Sequence, residues 1–389
     1  MNNKTCLIFV FVLAFVTLFS CNDVSKTKDN FDPNIYNLNV RNSISQNEKE
    51  YLISSMAKNI TYVKLETNNL SFLERIKNVC ITDKYIFVAD NKSLCQFDKQ
   101  GNFIRRIGRK GNGPGEFGNK IRFTVNKDLS EIYVLSHRTI LNIFEMETGS
   151  FKNSFRVDLD ISSFATLEPD KLVFFTNDVN SNALISTMYE AYLVNRDGKI
   201  LDSIPDYTRV NNSSNILGHT EYYIRNRSIF YKSYFKDTLF NLDNTFTKRP
   251  IISYDFQNEV RRNKIEMDGG EDEVSNFISV LKTLENDKYF FITAEKDLVH
   301  GKKREFQKIL FKKDNNTLNL TSGFKNDLDG GITFWPKFII EELLVDWVEA
   351  KDLIEYYNAT KETVKHSAEF EKLANSLFVN DNPILILLK

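Results

Sequence analysis

The stretch RRIGRKGNGPGEFGNK, from Arg105 to Lys120, is where residue types and spacing first suggest chemistry, because a glycine run in a basic setting can cradle phosphate. A phosphate loop needs G-x-x-x-x-G-K-[ST] with a helix opening behind it. Gly113 and Gly118 have the first spacing, but Asn119 follows, Pro114 interrupts, and IRFTVN (Ile121 to Asn126) reads as a strand. The run is therefore expected to be a turn between strands, its glycines supplying unusual backbone angles and Glu116 accepting backbone N–H groups. The basic residues Arg105, Arg106, Arg109 and Lys110 are candidates for an acidic ligand if they face a channel; on an outer strand they would instead guard the edge against pairing.

Other candidate chemistry is scattered. Asn326, Asp327 and Asp329 in NDLDGG offer oxygens that a calcium ion can use, although the loop lacks the length and the bidentate Glu of an EF-hand. No cofactor is otherwise required. Tyr222, Tyr223, Arg225 and Arg227 in EYYIRNR, with Trp335 in TFWPKF, pair aromatic faces with guanidinium groups, a set suited to a glycan or peptide if it is not simply core. No G-x-S-x-G or H-E-x-x-H occurs, and His137, His219, His300 and His366 lie far apart in sequence. A binding or interaction module is the leading expectation. The alternative is a propeller hydrolase or lyase with acids and histidines converging at the central channel. With 51 basic and 52 acidic residues, no global field favours nucleic acid.

The elements that would position these residues repeat along the chain. FDKQGNF, FEMETGSF, VNRDGKI, FNLDNTF and FKKDNNTL each close an apolar strand with Asp, Asn or Gly and restart on an apolar residue, the pattern of a hairpin turn. Their first residues, Phe97, Phe144, Val194, Phe240 and Phe311, lie 47, 50, 46 and 71 positions apart. The first three gaps match a four-stranded propeller blade, and the last fits one blade plus a charged insertion at about 256–277. Flanking runs such as KYIFVAD and DKLVFFTN are β-branched and aromatic. The 32 Phe and 16 Tyr suit sheets that pack face to face. The expected fold is all-β, a six-bladed β-propeller over 60–389, with a helical segment at about 343–378 inserted before a last strand, NPILILL. ITYVKLET (Ile60 to Thr67) is expected to join that last blade and close the ring.

At the N-terminus, Lys4 precedes the apolar run Leu7 to Leu18, and LFSC then places Cys21 behind Ser20, a secretory signal over 1–20. The four residues Leu18, Phe19, Ser20 and Cys21 resemble a bacterial lipobox. That resemblance implies acylation of Cys21 and a membrane anchor in the cell envelope, at the outer membrane. The polar stretch 21–59 reads as a flexible spacer. Cys80 and Cys95 remain, as a disulfide or as buried thiols. The run YIFVADNKSLCQFDKQGNFIRRIGRKGNGPGEF resembles an NHL-type propeller repeat. FKDTLFNL, NDLDGGITFWP and NPILILL are similar to segments of bacterial 6-bladed β-propeller lipoproteins. The resemblance implies a six-bladed ring and carries no settled activity; glycans, peptides and envelope proteins are its expected partners, with the membrane reached through the anchor.

Overall fold

The computed structural model describes residues 35–118, 121–136, 139–159, 161–176, 189–206, 220–233, 236–256, 276–298 and 305–389. Tyr36–Lys389 form one compact unit, and Met1–Ile35 a second that lies, apart from Ile35, outside the described residues. Within the larger unit the strands build six antiparallel blades, five of them in simple sequence order. The inner strands are Asn78–Ile81, Arg122–Asn126, Ile161–Glu168, Thr220–Arg225, Asn276–Glu285 and Phe338–Ile340 for blades 1 to 6.

Every one of the five repeated turns joins the third strand of its blade to the fourth. Their chemistry explains the repeat. Asp98 accepts N–H bonds from Gln100 and Asn102 (2.9 Å each), Asn195 from Asp197 and Lys199 (3.0 and 2.9 Å), and Asp243 from Thr245 and Thr247 (2.9 and 3.0 Å). Three residues after each of these side chains stands a left-handed residue: Gly101, Gly198 and Phe246, with φ of 90°, 84° and 62°. Asx side chain and positive φ together reverse the chain within the right-handed twist of the blade.

Between neighbouring blades the two sheet faces meet on aromatic and branched side chains. Phe87, Phe123 and Phe144 fill the seam of blades 1 and 2; Tyr133, Phe164 and Phe174 fill the next; Phe175 and Tyr231 fill the third. Each such ring removes roughly 150–250 Å² from water, which makes these seams the main source of stability.

Blade 6 closes the ring. Its strands Phe338–Ile340, Leu343–Val348 and Ile384–Leu388 are completed by Ile60–Lys64 from the other end of the chain, paired antiparallel from Ile60↔Leu388 to Lys64↔Ile384. Helices α2 (Ala350–Thr360) and α3 (Ala368–Asn375) are inserted between the second and third of these strands.

Two expected boundaries are corrected. The spacer drawn over 21–59 ends before Tyr36: Tyr36–Asn39 adds a fifth, parallel strand to blade 4, α1 (Val40–Ile44) follows, and Tyr51–Leu52 pairs beside blade 5 with Phe324–Lys325. Leu38, Val40 and Ile53 are 0–2% exposed. Their burial outweighs the polar composition, and the alternation Tyr36, Leu38, Val40 is the signal for it. The ring thus begins at 36 and not at 60. The helical tract drawn over 343–378 opens as the strand Leu343–Val348, since LLVDWV is β-branched and aromatic-rich and lies between two strands that pair with it. Of the insertion at 256–277, residues 257–275 lie outside the described residues.

Candidate functional site

The six inner strands surround an axial cavity of about 1130 Å³, lined by residues from all six blades. All six run in the same direction, so the turns between first and second strands, and those between third and fourth, gather at one end, here called the turn mouth. Polar stitches tie the inner strands of blades 1 to 6 in succession. Asn78 Nδ2 donates to Phe123 O (3.0 Å), Asn126 Nδ2 to Pro169 O (2.8 Å) and Ser163 Oγ to Thr220 O (2.8 Å). Lys282 pairs with Glu221 at 3.2 Å on one side and donates to Lys337 O at 3.1 Å on the other, linking blades 4, 5 and 6. At the turn mouth Lys127 of blade 2 reaches Glu341 of blade 6 at 2.6 Å, passing blade 1.

Tyr222 of blade 4 comes near Thr124 of blade 2 and Cys80 of blade 1, and burial foremost raises its pKa. Cys80 is itself pushed up to about 12 by burial, more than Lys127 can offset. Cys80 and Cys95 are both free thiols, on the first and third strands of blade 1.

Of the residues singled out in the sequence, Tyr222, Tyr223, Arg225 and Arg227 do meet at the channel. Strand alternation sends Tyr222 toward blade 3, where it stacks on Phe175 at 6.1 Å, and Tyr223 and Arg225 toward blade 5. Arg225 is paired with Glu285 (3.6 Å), Asp287 and Glu342 (3.8 Å). Asn226 and Arg227 form the turn to the next strand, both left-handed (φ 51° and 60°).

The basic cluster does not come to the channel. Arg105 and Arg106 lie on the outer strand of blade 1 and donate to Glu147 O (2.9 Å) and Leu70 O (2.5 Å). Arg109 and Lys110 pair with Glu116–Phe117 in the seam between blades 1 and 2. There Glu116 accepts from Gly113 N (2.8 Å) and Arg109 Nε (2.6 Å), and these two bonds hold its carboxyl below the usual range. Trp335 is core: its ring packs against Phe291 and Phe324, and its Nε1 donates to Thr293 Oγ1 at 3.1 Å.

Asn326, Asp327 and Asp329 serve the backbone and the N-terminal segment. Asp327 accepts from Ser54 N and Oγ (3.0 and 2.5 Å), Asp329 from Gly331 N (2.9 Å) and Tyr62 OH (3.3 Å), and Asn326 Nδ2 donates to Tyr62 OH (3.1 Å). Among the described residues no group of three or more His, Cys, Asp or Glu side chains is placed to share a metal ion. His366 sits beside α3, stacked on Phe370 at 5.3 Å with Nε2 3.2 Å from Thr360 Oγ1; His137, His219 and His300 lie outside the described residues.

Sequence reasoning missed Arg122, Lys127, Glu221, Lys282, Glu341 and Glu342 as channel residues. The signal was available: each repeated turn fixes the third strand of a blade, and the inner strand lies about two strands upstream of it.

Fold and cavity together define the class, a six-bladed β-propeller with an axial channel whose wall mixes apolar surface with charged side chains. Residues 35–389 match the family described as "Domain of unknown function (DUF4934)", and the chain belongs to that family. A Bacteroides fragilis protein described as a "putative exported protein" is similar in fold, with a TM-score of 0.69 at 15% identity over 91% of this chain and 99% of its own. A Bacteroides vulgatus member of the DUF4221 family is more distant, at TM-score 0.45 and 11% identity over 68% of this chain and 84% of that one. No curated protein matches this sequence. Among the described residues no helix is long and apolar enough to cross a membrane.

Proposed function

We propose that this chain is an extracytoplasmic lipoprotein of the outer membrane, anchored through Cys21, whose propeller binds a glycan, a peptide or an envelope protein at the turn mouth of its channel. The observation that carries the reading is the cavity itself: a concave site of about 1130 Å³ whose largely apolar wall carries arginine, lysine, carboxylate and tyrosine side chains. Its cations are mostly paired with carboxylates, as at Lys127–Glu341 and Lys282–Glu221, which suits recognition of a polar ligand by exchange of hydrogen bonds. The lipobox-like LFSC and the NHL-like first blade support the envelope setting.

Melting of the full chain against a panel of glycans, peptides and calcium tests this, because a ligand of the folded ring adds about 2.7 kcal/mol of stability at a hundredfold excess over Kd and so raises the melting temperature. Saturable shifts with at least one polar ligand are expected. Turnover of a panel member without any shift would overturn the binding reading in favour of an enzyme. Metabolic labelling with a fatty acid, lost in Cys21→Ala, tests the anchor.

A further inference from the structure

Tyr223 and Arg225 stand two residues apart on the inner strand of blade 4, so both project toward blade 5. Both line the cavity, and each carries a buried donor with no hydrogen bond of ordinary length: the Tyr223 hydroxyl has only the Glu285 carboxylate in looser reach, and Arg225 Nε only Glu342 at 3.8 Å. Tyr223 is 4% exposed and the Arg225 side chain 12%. Buried polar groups are nearly always satisfied, and two orphans side by side on a cavity wall mark a place where another molecule supplies the acceptors. The guanidinium is oriented but not saturated, since Glu285 and Glu342 lie 3.6 and 3.8 Å away, beyond hydrogen-bonding distance, and only Asp287 is in contact.

Charge narrows the ligand class. Three carboxylates surround Arg225, so a phosphate or carboxylate placed at its Nε would meet Asp287 and Glu342. An ammonium group there would meet Arg225 and Arg227. A hydroxyl satisfies both sides, accepting from Arg225 Nε–H or Tyr223 O–H while donating to Glu342. Asn226, Arg227 and Asn244, from the adjoining turns, add planar groups of the kind that span vicinal hydroxyls. The backbone points the same way: Asn226 and Arg227 both take left-handed φ, and the second position is one where glycine is the default, so the Arg227 side chain is kept against local strain.

We propose that the ligand is a neutral, polyhydroxylated glycan whose hydroxyl groups are held at the turn mouth by Tyr223, Arg225 and Glu342. This rests on the channel-binding reading above and names its ligand class. The full chain, in a detergent without a sugar headgroup, is titrated calorimetrically with neutral oligosaccharides, an acidic polysaccharide, and cationic and anionic peptides. The neutral oligosaccharides are expected to bind saturably. Tyr223→Phe is expected to weaken them about tenfold, the value of one hydrogen bond of 1.4 kcal/mol, with little change in melting temperature, because its hydroxyl makes no hydrogen bond of ordinary length. Glu342→Gln, on a half-exposed side chain, is expected to weaken binding several-fold with the fold intact. Binding of the acidic polysaccharide or a peptide with no neutral glycan bound overturns the ligand class and leaves the channel reading standing. Neutral glycans bound with unchanged affinity in both variants overturn the site. The absence of binding by every probe overturns both.

Discussion

Glu131→Ala gives the most direct measure of what holds the blades together. Glu131 opens the second strand of blade 2 and is 1% exposed. Its carboxylate accepts from Tyr133 OH (2.8 Å) and Lys152 Nζ (2.6 Å) within the blade, and both oxygens meet Arg196 Nη2 of blade 3 (2.6 and 2.8 Å). Removing the carboxylate leaves the fully buried Tyr133 hydroxyl without its partner, which costs about 1–3 kcal/mol. Lys152 and Arg196 are 46% and 38% exposed, so water takes them back and each pair contributes only about 0.5 kcal/mol. The sum is about 3 kcal/mol, a fall of roughly 6 °C in melting temperature at about 2 °C per kcal/mol for a long chain. Adding Tyr133→Phe removes the orphaned hydroxyl and is expected to recover about 1 kcal/mol.

The same network sets a pH dependence. Burial pulls the Glu131 pKa up, but Lys152, Tyr133 and Arg196 outweigh it and hold the carboxyl below its ordinary value. A depressed folded pKa means that the unfolded chain binds more protons as the solution turns acid. The contribution is therefore complete above the unfolded value of about 4.3 and fades as pH falls through the lower folded pKa. Urea unfolding at pH 7 and pH 3 reads both effects. A loss below about 1 kcal/mol at pH 7, or a gap between the parent chain and Glu131→Ala that fails to narrow at pH 3, would refute the reasoning.

Three further outcomes are expected. Gly101→Ala places a Cβ 2.2 Å from Lys64 O of the closing strand at a φ of 90°, and thermal melting should record a loss of about 2–4 kcal/mol. Deleting 384–389 removes the strand to which Ile60–Lys64 pairs, and the sharp single melt of the closed ring should broaden in calorimetry. At pH 8 a thiol with a pKa of about 12 is ionised in only about one molecule in 10⁴, so mass spectrometry should find Cys80 unalkylated by iodoacetamide until the chain is unfolded.

The ring was legible because it is written locally. Five turns of Asp, Asn and Gly at blade spacing mark the third-to-fourth-strand hairpins, and the pairing of ITYVKLET with NPILILL follows once an open sheet edge is disallowed. The N-terminal strand Tyr36–Asn39 was hidden by its asparagines, which leave Tyr36, Leu38 and the following Val40 as the whole apolar signal. The site was half legible. EYYIRNR announced itself because four candidates sit within six residues on one inner strand and its turn. Its counterparts Lys127, Lys282 and Glu341 arrive from three other blades, with nothing in their sequence neighbourhoods to tie them to one another, and only closure of the ring brings them together. Arg105 to Lys110 misled for the opposite reason: charges dense in sequence lie on the outer strand of blade 1 and in the seam behind it, away from the channel.

The N-terminal segment that runs from blade 4 past blade 5 into blade 6 also has a mechanical meaning. If the anchor is Cys21, as proposed above, its load enters at Tyr36, whose four-residue parallel register with Ile252–Asp255 takes it in shear across the edge of blade 4. Beyond it, α1 and the Tyr51–Leu52 pairing stand between that load and Ile60–Lys64. Tugging on the anchor would thus peel an accessory strand first, while the clasp that keeps the ring shut stays slack.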